Sequence, residues 1–235
     1  MLSRLAPVAL RILLSLAALW VVIVLLGLLL TRVLNHTGFV GAEDDISTTL
    51  ADNRTKPLND ATYLFSGLGN TAAIIGALVI VAIAMRLVLK RWGESVFLIV
   101  AVSGQALVFF CAQLVITRQR PQVKRLDSSP PTSSFPSGHT GAATALFVAS
   151  ALLVAWYVRK RWVKTLAVTV LLAVPLLVAY GRLYRGMHHP TDVLVAFLNG
   201  LACVAIAAVL VLRRRSVKAE PPPLRERMTA TAGAR

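Results

Sequence analysis

Long runs of apolar residues dominate the sequence. Between its charged residues lie six uncharged runs of about 17 to 25 residues, the length that a helix needs to cross the hydrocarbon core of a bilayer. Lipid offers no hydrogen-bond partners to the backbone, so each run is expected to be a helix. The predicted spans are residues 12–31, 71–89, 95–117, 140–158, 165–181 and 193–212. The pattern therefore predicts an all-α integral membrane protein, a bundle of six transmembrane helices.

The composition agrees with a membrane protein. Hydrophobic residues make up 57% of the chain and charged residues 15%, and the mean hydropathy is +0.71. A soluble protein this apolar could not cover its surface with polar groups, and intrinsic disorder is excluded for the same reason. The net charge of +15 is then better explained by a membrane surface than by nucleic acid. Cys111 and Cys203 lie inside apolar runs, so neither a disulfide framework nor a zinc site is expected.

Basic residues collect at one end of the predicted spans. The N-terminus, the connections at 86–94 and 159–164 and the tail beyond 212 hold 16 of the 25 basic residues but only three of the ten acidic ones. The net charges of the two faces are then +13 and +2. By the positive-inside rule the first face is cytoplasmic, so both termini are predicted to lie in the cytoplasm. The predicted location of the protein is the plasma (inner) membrane.

The domain organisation follows from these spans. Residues 1–215 are predicted to form one membrane domain, and residues 216–235 a disordered basic cytoplasmic tail. The longer connections lie on the extracytoplasmic side. One of them, residues 35–60, carries five acidic residues and a possible short surface helix at 45–51.

Three polar clusters lie at the extracytoplasmic ends of the predicted spans. They are Gln113 with Arg118 and Arg120-Pro121, then Pro136-Ser137-Gly138-His139, and finally residues 182–192 with Arg182, Arg185, His188, His189 and Asp192. Each cluster alone is a weak signal, since span ends are commonly polar. Their convergence on one face, which the charge distribution predicts independently, makes a shared site the better interpretation.

The residue types in these clusters suit the transfer of a phosphoryl group. Arginine binds phosphate oxygens through its planar fork of donors, and a Ser-Gly pair before a helix offers backbone N–H groups to an anion. Asp192 follows His188 by four residues, which places both on one face of a helix. A carboxylate on one imidazole nitrogen fixes the tautomer and leaves the other nitrogen free to attack. The set is complete for chemistry through a phosphohistidine, with no metal or other cofactor, because arginines can balance the charge of the transition state.

The motifs resemble those of the type 2 phosphatidic acid phosphatase family, integral membrane lipid phosphatases that share a phosphate site with bacterial acid phosphatases and vanadium haloperoxidases. That family has Lys, six residues and Arg-Pro, then Pro-Ser-Gly-His, then Ser-Arg, five residues, His, three residues and Asp. The matching residues here are Arg120-Pro121, Pro136-Ser137-Gly138-His139, Arg182, His188 and Asp192. The motifs cover about 80 residues, 113–192, and the six-span layout covers most of the chain.

The resemblance implies a role for each matching residue. His188 would be the nucleophile, Asp192 would orient it, and His139 would protonate the leaving lipid oxygen and then activate water. The implied phosphate ligands are Arg120, Arg182, Ser137 and the backbone N–H of Gly138. The spacing to Asp192 favours His188 over its neighbour His189 as the nucleophile.

The sequence departs from the family pattern at two positions. Gln113 occupies the Lys position, where it can donate a hydrogen bond but brings no charge, and Gly181 occupies the Ser position. Either Arg118 or Lys124 compensates for the missing charge, or phosphate binding is weaker. Arg185 could contact a second phosphate or a head group, but the simpler expectation is that it points to solvent.

Three functions therefore remain open on the sequence. The first is a phosphatase that hydrolyses a lipid phosphate or diphosphate, such as a polyprenyl diphosphate, phosphatidic acid or phosphatidylglycerol phosphate, with a slight preference for polyprenyl substrates. The second is a lipid phosphotransferase that uses the same phosphohistidine. The third is a weakly active or non-catalytic lipid-phosphate binding relative, which Gln113 alone supports. A transporter is less favoured, since Pro175 and Asn199 are its only indications inside the spans.

Overall fold

The computed structural model describes residues 2–34, 38–128 and 132–212, and every regular element within them is a helix. The predicted tail, residues 216–235, lies outside these residues. The helices are α1 (Leu2–Leu28, continued by a π-helical segment Leu29–Val33), α2 (Gly38–Asp52), α3 (Lys56–Leu68), α4 (Thr71–Leu89), α5 (Gly93–Gln113), α6 (Gly138–Tyr157), α7 (Arg161–Tyr184) and α8 (Pro190–Ala207, continued by a π-helical segment Ala208–Leu212).

Six of the described helices, α1 and α4 to α8, are long and apolar enough to cross a membrane. This confirms the predicted all-α architecture and the number of spans. The bounds differ where the charge pattern misled. Helix α7 continues to Tyr184, beyond the predicted end at 181, because the Arg182 side chain is buried with partners rather than placed in solvent. Helix α5 ends at Gln113 instead of 117, since the chain turns at Val115, whose N–H donates to the carbonyl of Ala112.

The bundle has an inner and an outer group of helices. About half of the most apolar stretch of α5, α6 and α8 is buried, whereas α1, α4 and α7 expose most of theirs to the surroundings. Small residues bring the inner helices together: a Cβ added at Gly200 of α8 would lie 2.6 Å from the Cβ of Thr144 on α6. Close backbone approach through small residues is the usual basis of helix packing in membranes.

A buried polar contact joins two of the inner helices. Asn199 of α8 is fully buried and donates from Nδ2 to the backbone carbonyl of Gln105 on α5, at 3.3 Å. Asn199 also lies 3.6 Å from the thiol of Cys203, one turn further along the same helix. The two contacts make Asn199 a packing element between α5 and α8.

The connection between α1 and α4 is helical rather than extended. The predicted short helix at 45–51 is part of the longer α2, and α3 follows it directly. Helix α3 packs on α7 at Gly181, where an added Cβ would lie 3.2 Å from the backbone nitrogen of Ser66 and the carbonyl of Thr62. This close contact explains the glycine at 181, and it places Ser66 beside Arg182.

Candidate active site

A cavity of about 850 Å³ opens beside α3, where α5 and α7 end and α6 begins. All three polar clusters of the sequence contribute to its wall. The residues predicted for the site that line it are Gln113, Arg120, Gly138, His139, Arg182 and His188. The fold therefore gathers residues from positions 113 to 188 at one point, and both predicted catalytic histidines face the same space.

A second cavity of about 570 Å³ adjoins the first. It is lined by residues 117–123, 125, 132 and 133, so it shares Arg120 with the larger cavity but contains neither histidine. The larger cavity, hereafter simply the cavity, is therefore the candidate site.

His188 lies in the short connection between α7 and α8 and is 4% exposed. Its Nδ1 is 2.7 Å from the carbonyl oxygen of Ser134. A carbonyl can only accept, so Nδ1 carries the proton and Nε2 keeps the free lone pair. Burial lowers the pKa of His188 below its ordinary value, and the charges of Arg182 and Arg120 act in the same direction against the opposing effect of Asp192. The imidazole is therefore neutral at neutral pH, as a nucleophile must be.

Asp192 stands behind His188, at the start of α8. Its Oδ2 accepts from the backbone N–H of His189 at 2.9 Å and lies 3.8 Å from Nδ1 of His188. Its Oδ1 accepts from Nη1 of Arg118 at 2.6 Å. The predicted direct hydrogen bond from His188 to Asp192 is thus replaced by the one to Ser134, and the carboxylate acts on the imidazole through its charge.

Arg120 lies in the connection between α5 and α6, and Arg182 lies in the last turn of α7; both line the cavity. Nη1 of Arg120 donates to the carbonyl of Met187 at 2.7 Å, which fixes Arg120 against the segment that carries His188. Nη1 of Arg182 donates to Oγ of Ser66 at 2.8 Å and to Oδ2 of Asp127 at 3.0 Å. The Nε atoms of both arginines are buried without a hydrogen-bond partner in the described residues. Unsatisfied buried donors are costly, and here they belong to the two cations that line one cavity.

Arg185 is not directed to solvent, contrary to the expectation from the sequence. It is 5% exposed, and its Nε donates to Oδ1 of Asp127 at 2.8 Å. The carbonyls of Asn59 and Leu126 accept from its Nη atoms. The physical reason is that Asp127 bridges Arg185 and Arg182, so that both buried cations share one carboxylate partner.

Asp127 itself is held as a carboxylate. Burial alone would raise the pKa of Asp127, but the hydrogen bond and charge of Arg185, with the charge of Arg182, outweigh burial and keep the pKa below its ordinary value. One acid therefore keeps two arginines side by side at the edge of the cavity.

The Pro-Ser-Gly-His segment forms the start of α6. Ser137 is the N-cap: it is fully buried, donates to Oγ1 of Thr140 at 3.0 Å and accepts from the backbone N–H of Thr140. Its hydroxyl is therefore used inside the helix end, and it does not line the cavity. Gly138 does line the cavity, and a Cβ there would lie 2.8 Å from the ring of Phe109. The first turn of α6 thus presents its N-terminus and His139 to the cavity, a favourable end for an anion.

The residues that could replace the missing family Lys differ in position. Gln113 lines the cavity, and its Nε2 donates to the carbonyl of Ser133 at 3.1 Å. Arg118 contacts Asp192 and Glu43 instead of the cavity. Lys124 is exposed and does not line the cavity. The second cation beside Arg182 is in fact Arg185, held through Asp127.

His189 points away from the cavity. Its Nε2 is 3.2 Å from the carbonyl of Gln119, and its Nδ1 is 3.6 Å from a carboxylate oxygen of Asp44. The two neighbouring histidines therefore have separate surroundings, and only His188 lines the cavity.

Sequence reasoning missed four groups around the site. They are the carbonyl of Ser134, the hydroxyl of Ser66, the carboxylate of Asp127 and the carboxylate of Glu43. Asp127 had a signal, as the single acid in the basic connection between α5 and α6. The others had none, because a backbone carbonyl and a serine or glutamate on a distant helix have no characteristic spacing to the motifs.

Comparison with known proteins now gives the family. The sequence profile of the PAP2 superfamily matches residues 96–216, which include every motif residue named above. The chain belongs to the PAP2 superfamily. Membership confirms the resemblance seen in the motifs. No protein with curated annotation matches the chain.

Two solved PAP2-type structures share the fold. One is the transmembrane PAP2 type phosphatidylglycerolphosphate phosphatase from Bacillus subtilis, with a TM-score of 0.73 and 22% identity, over 86% of this chain and 98% of that chain. The other is Aquifex aeolicus LpxE, with a TM-score of 0.55 and 23% identity, over 69% of this chain and 92% of that chain. At these identities the likeness concerns the fold, and it extends over nearly the whole length of the two solved proteins.

Proposed function

We propose that this protein hydrolyses a lipid phosphate or diphosphate through a phosphohistidine, at the extracytoplasmic face of the plasma membrane. The observation that carries the proposal is that Arg120 and Arg182, which both keep a buried Nε donor without a partner in the described residues, line the same cavity as His139 and His188. Two guanidinium groups with unused donors suit the oxygens of a phosphoryl group.

The chemistry has two steps. Nε2 of His188 attacks the phosphorus, the bond from phosphorus to the lipid oxygen breaks, and His139 gives its proton to that oxygen. Water then attacks the phosphohistidine, His139 takes a proton from it, and the bond from nitrogen to phosphorus breaks to release phosphate. Arg120, Arg182 and the N-terminus of α6 stabilise the charge on the phosphoryl oxygens in both transition states.

The wall of the cavity also suits a lipid. On α3, Tyr63, Leu64 and Leu68 line the cavity while 65%, 67% and 41% of their surfaces remain exposed. Phe109 of α5 adds an aromatic ring to the wall of the cavity. A substrate could therefore leave its apolar chain in the bilayer beside α3 while its phosphate reaches the histidines. Phosphatidylglycerol phosphate, phosphatidic acid and polyprenyl diphosphates all have this form.

The proposed orientation rests on charge. The helix ends that carry the cavity belong to the face with a net charge of +2, and the opposite face has +13. The positive-inside rule then assigns the cavity to the extracytoplasmic side, and both termini to the cytoplasm. A site with this orientation suits the removal of phosphate from carrier lipids that have crossed the membrane.

The test is phosphate release by the detergent-purified protein in the presence of EDTA, on phosphatidic acid, phosphatidylglycerol phosphate and a polyprenyl diphosphate in mixed micelles. His188→Asn should abolish release, whereas the matched variant His189→Asn should retain it, since Asn can replace His189 as the N-cap of α8. Equal loss in both variants, or no release from any lipid by the unaltered protein, would contradict the proposal. Labelled phosphate that appears on an acceptor lipid instead of in solution would identify a phosphotransferase.

A further inference from the structure

A chain of buried charges runs from α2 to the back of His188. Nη2 of Arg118 is 2.6 Å from Oε2 of Glu43, and Nη1 of Arg118 is 2.6 Å from Oδ1 of Asp192. The side chains of Arg118, Glu43 and Asp192 are 8%, 4% and 0% exposed. The two carboxylates therefore share one guanidinium that is largely shielded from solvent. We call these three residues the rear network.

The rear network also holds the start of α8. Oε1 of Glu43 accepts from the backbone N–H and from Oγ1 of Thr191, both at 2.8 Å. Oγ1 of Thr191 lies 2.7 Å from Nη1 of Arg118, which closes the network on itself. Free N–H groups at a helix N-terminus need an acceptor, and Glu43 supplies one from a separate helix. The first turn of α8, which carries Asp192, is thus fixed from α2.

These contacts occupy the Nη atoms of Arg118. One faces Asp192 and Thr191, and the other faces Glu43. Arg118 is also absent from the residues that line the cavity, unlike Arg120 two positions later. A phosphate in the cavity would have to draw Arg118 away from two carboxylates, which costs more than the single new contact returns.

We propose that Arg118 and Glu43 are positioning residues for the nucleophile, and that Arg118 is not a ligand of the phosphate. Arg118 fixes the Asp192 carboxylate 3.8 Å from Nδ1 of His188, and Glu43 keeps Arg118 in that position. When Nε2 of His188 takes the phosphoryl group, the imidazole becomes positive, and a fixed carboxylate at this distance stabilises that charge. The proposal rests on the proposed function, and it makes α2 part of the catalytic architecture.

The variants that test it keep the shape of the side chains. Arg118→Lys retains the charge but cannot reach both carboxylates with a planar fork. Glu43→Gln retains an acceptor for Thr191 but removes the charge that holds Arg118. Asp45→Asn is the matched control, because Asp45 is an exposed acid on the same helix α2. Thermal unfolding of each variant verifies that the bundle is intact.

Steady-state kinetics on the best lipid substrate, with vanadate as an inhibitor that mimics phosphate, separates positioning from binding. For Arg118→Lys we expect kcat to fall about tenfold or more, the usual effect of removing the support of a reacting group, with KM and the vanadate Ki within about twofold of the unaltered protein. Glu43→Gln should lower kcat about threefold to tenfold for the same reason. Arg120→Lys is the contrast, because replacing a residue that binds the phosphate should raise the vanadate Ki.

Two kinetic outcomes would overturn the inference. A vanadate Ki that rises as much in Arg118→Lys as in Arg120→Lys would make Arg118 a phosphate ligand. A kcat for Glu43→Gln equal to that of Asp45→Asn would remove α2 from the mechanism.

A second readout needs no turnover, so it separates this inference from the proposed function. In protein labelled with ¹⁵N-histidine, the Nδ1 resonance of His188 should move in Glu43→Gln and in Arg118→Lys, and it should stay unchanged in Asp45→Asn. An unaltered protein that is inactive on every lipid would defeat the proposed function alone. A His188 resonance that is identical in all three variants would defeat the positioning role, whatever the activity.

Discussion

The two sides of His188 differ in how completely their charges are satisfied. Behind the imidazole, Arg118 forms ion pairs of 2.6 Å with both Glu43 and Asp192, so each of these three charged side chains has a partner. In front of it, Arg120 and Arg182 line the cavity with buried Nε donors that have no partner in the described part of the chain. The arginines on the two sides therefore differ: the Nη atoms of Arg118 all have partners, whereas Arg120 and Arg182 each keep a buried donor without one.

The difference indicates that the side behind His188 stays rigid and that the cavity side binds the substrate. Breaking a buried ion pair by removing one partner costs about 3–5 kcal/mol, so the rear side is expected to stay rigid through the reaction. The arginines on the cavity side keep Nε donors without a partner in the described residues, and the oxygens of an incoming anion are suitable acceptors for such donors. Arginines at the front should therefore affect substrate binding and transition-state charge, and Arg118 at the rear should affect the nucleophile alone. Each experiment below tests that division.

The largest effect is expected for Arg182→Lys. Lysine cannot hold Ser66 and Asp127 and at the same time offer a second donor to the phosphate. We expect kcat/KM to fall by about 100-fold, the usual loss when one preorganised donor is removed from a transition-state site. The measurement is phosphate release over a range of lipid concentrations.

Arg185→Lys is the control for that change. Arg185 contacts the same Asp127 but does not line the cavity, so its loss should lower kcat/KM less than tenfold. Equal effects of the two substitutions would mean that the pair acts as one structural unit and that Arg182 has no direct contact with the phosphate.

A smaller effect is expected for Gly138→Ala. The new methyl group would lie 2.8 Å from the ring of Phe109, so either the ring or the start of α6 must shift, at a cost of about 1–3 kcal/mol. A shift of α6 moves His139, and activity should fall about tenfold. The double variant Gly138→Ala with Phe109→Leu should recover most of the loss, because the smaller side chain leaves room for the methyl group. A double variant no better than the single one would place the role of Gly138 in its backbone instead of in this contact.

The pH dependence tests the electrostatics at the front of His188. Burial lowers the pKa of His188, so the neutral nucleophile persists below pH 6.5 and the acid limb of kcat/KM should lie below that value. The charge of Arg120 also lowers this pKa. In Arg120→Gln the imidazolium loses a repulsive neighbour, its pKa rises, and the acid limb should move to higher pH by about one unit or less. A limb that stays in place or moves to lower pH would show that Arg120 does not act on His188.

The sequence predicts the spans better than the site, and the reason is physical. A bilayer requires about 20 apolar residues per span, and any such run is visible without knowledge of its neighbours. The ends are less visible, because a charge such as Arg182 predicts the end of a span, whereas α7 continues through Arg182 and buries its side chain. A charged residue can lie within a buried helix when another part of the chain supplies an ion-pair or hydrogen-bond partner for it, and the local sequence does not show that partner.

Within the site, most of the residues predicted for catalysis and phosphate binding lie around one cavity, whereas the groups that hold them in place were not predicted. His139, His188, Arg120 and Arg182 have motif spacing that brings them together in one cavity. The hydrogen bond that orients His188 goes to a backbone carbonyl, Ser134, which no side-chain pattern encodes. Glu43 lies 75 positions from Arg118, in a connection that the sequence presents only as acidic. Such long-range pairs depend on how α2 packs, which local periodicity does not contain.

The smallest effect is expected where the chain departs from its family, at Gln113. Gln113→Lys would restore a cation beside the cavity, but two arginines already line that cavity and a third, Arg185, lies behind Asp127. The added ammonium group would attract the phosphate, but Arg120 and Arg182 would repel it. We expect the vanadate Ki to fall about threefold or less, with the gain lost at high salt, as for a partly screened interaction.

Gln122→Lys is the matched control for the Gln113 variant, since Gln122 is an exposed amide in the adjoining cavity. If both substitutions lower the Ki equally, the effect comes from the general field of the protein and not from the position of the lost family Lys. If Gln113→Lys lowers the Ki by tenfold or more, Arg120 and Arg182 do not supply the charge of the missing family Lys. Arg185, which is paired with Asp127, would then contribute no attraction for the phosphate. A small, position-specific gain is the outcome that fits a site whose charge is already provided by Arg120 and Arg182.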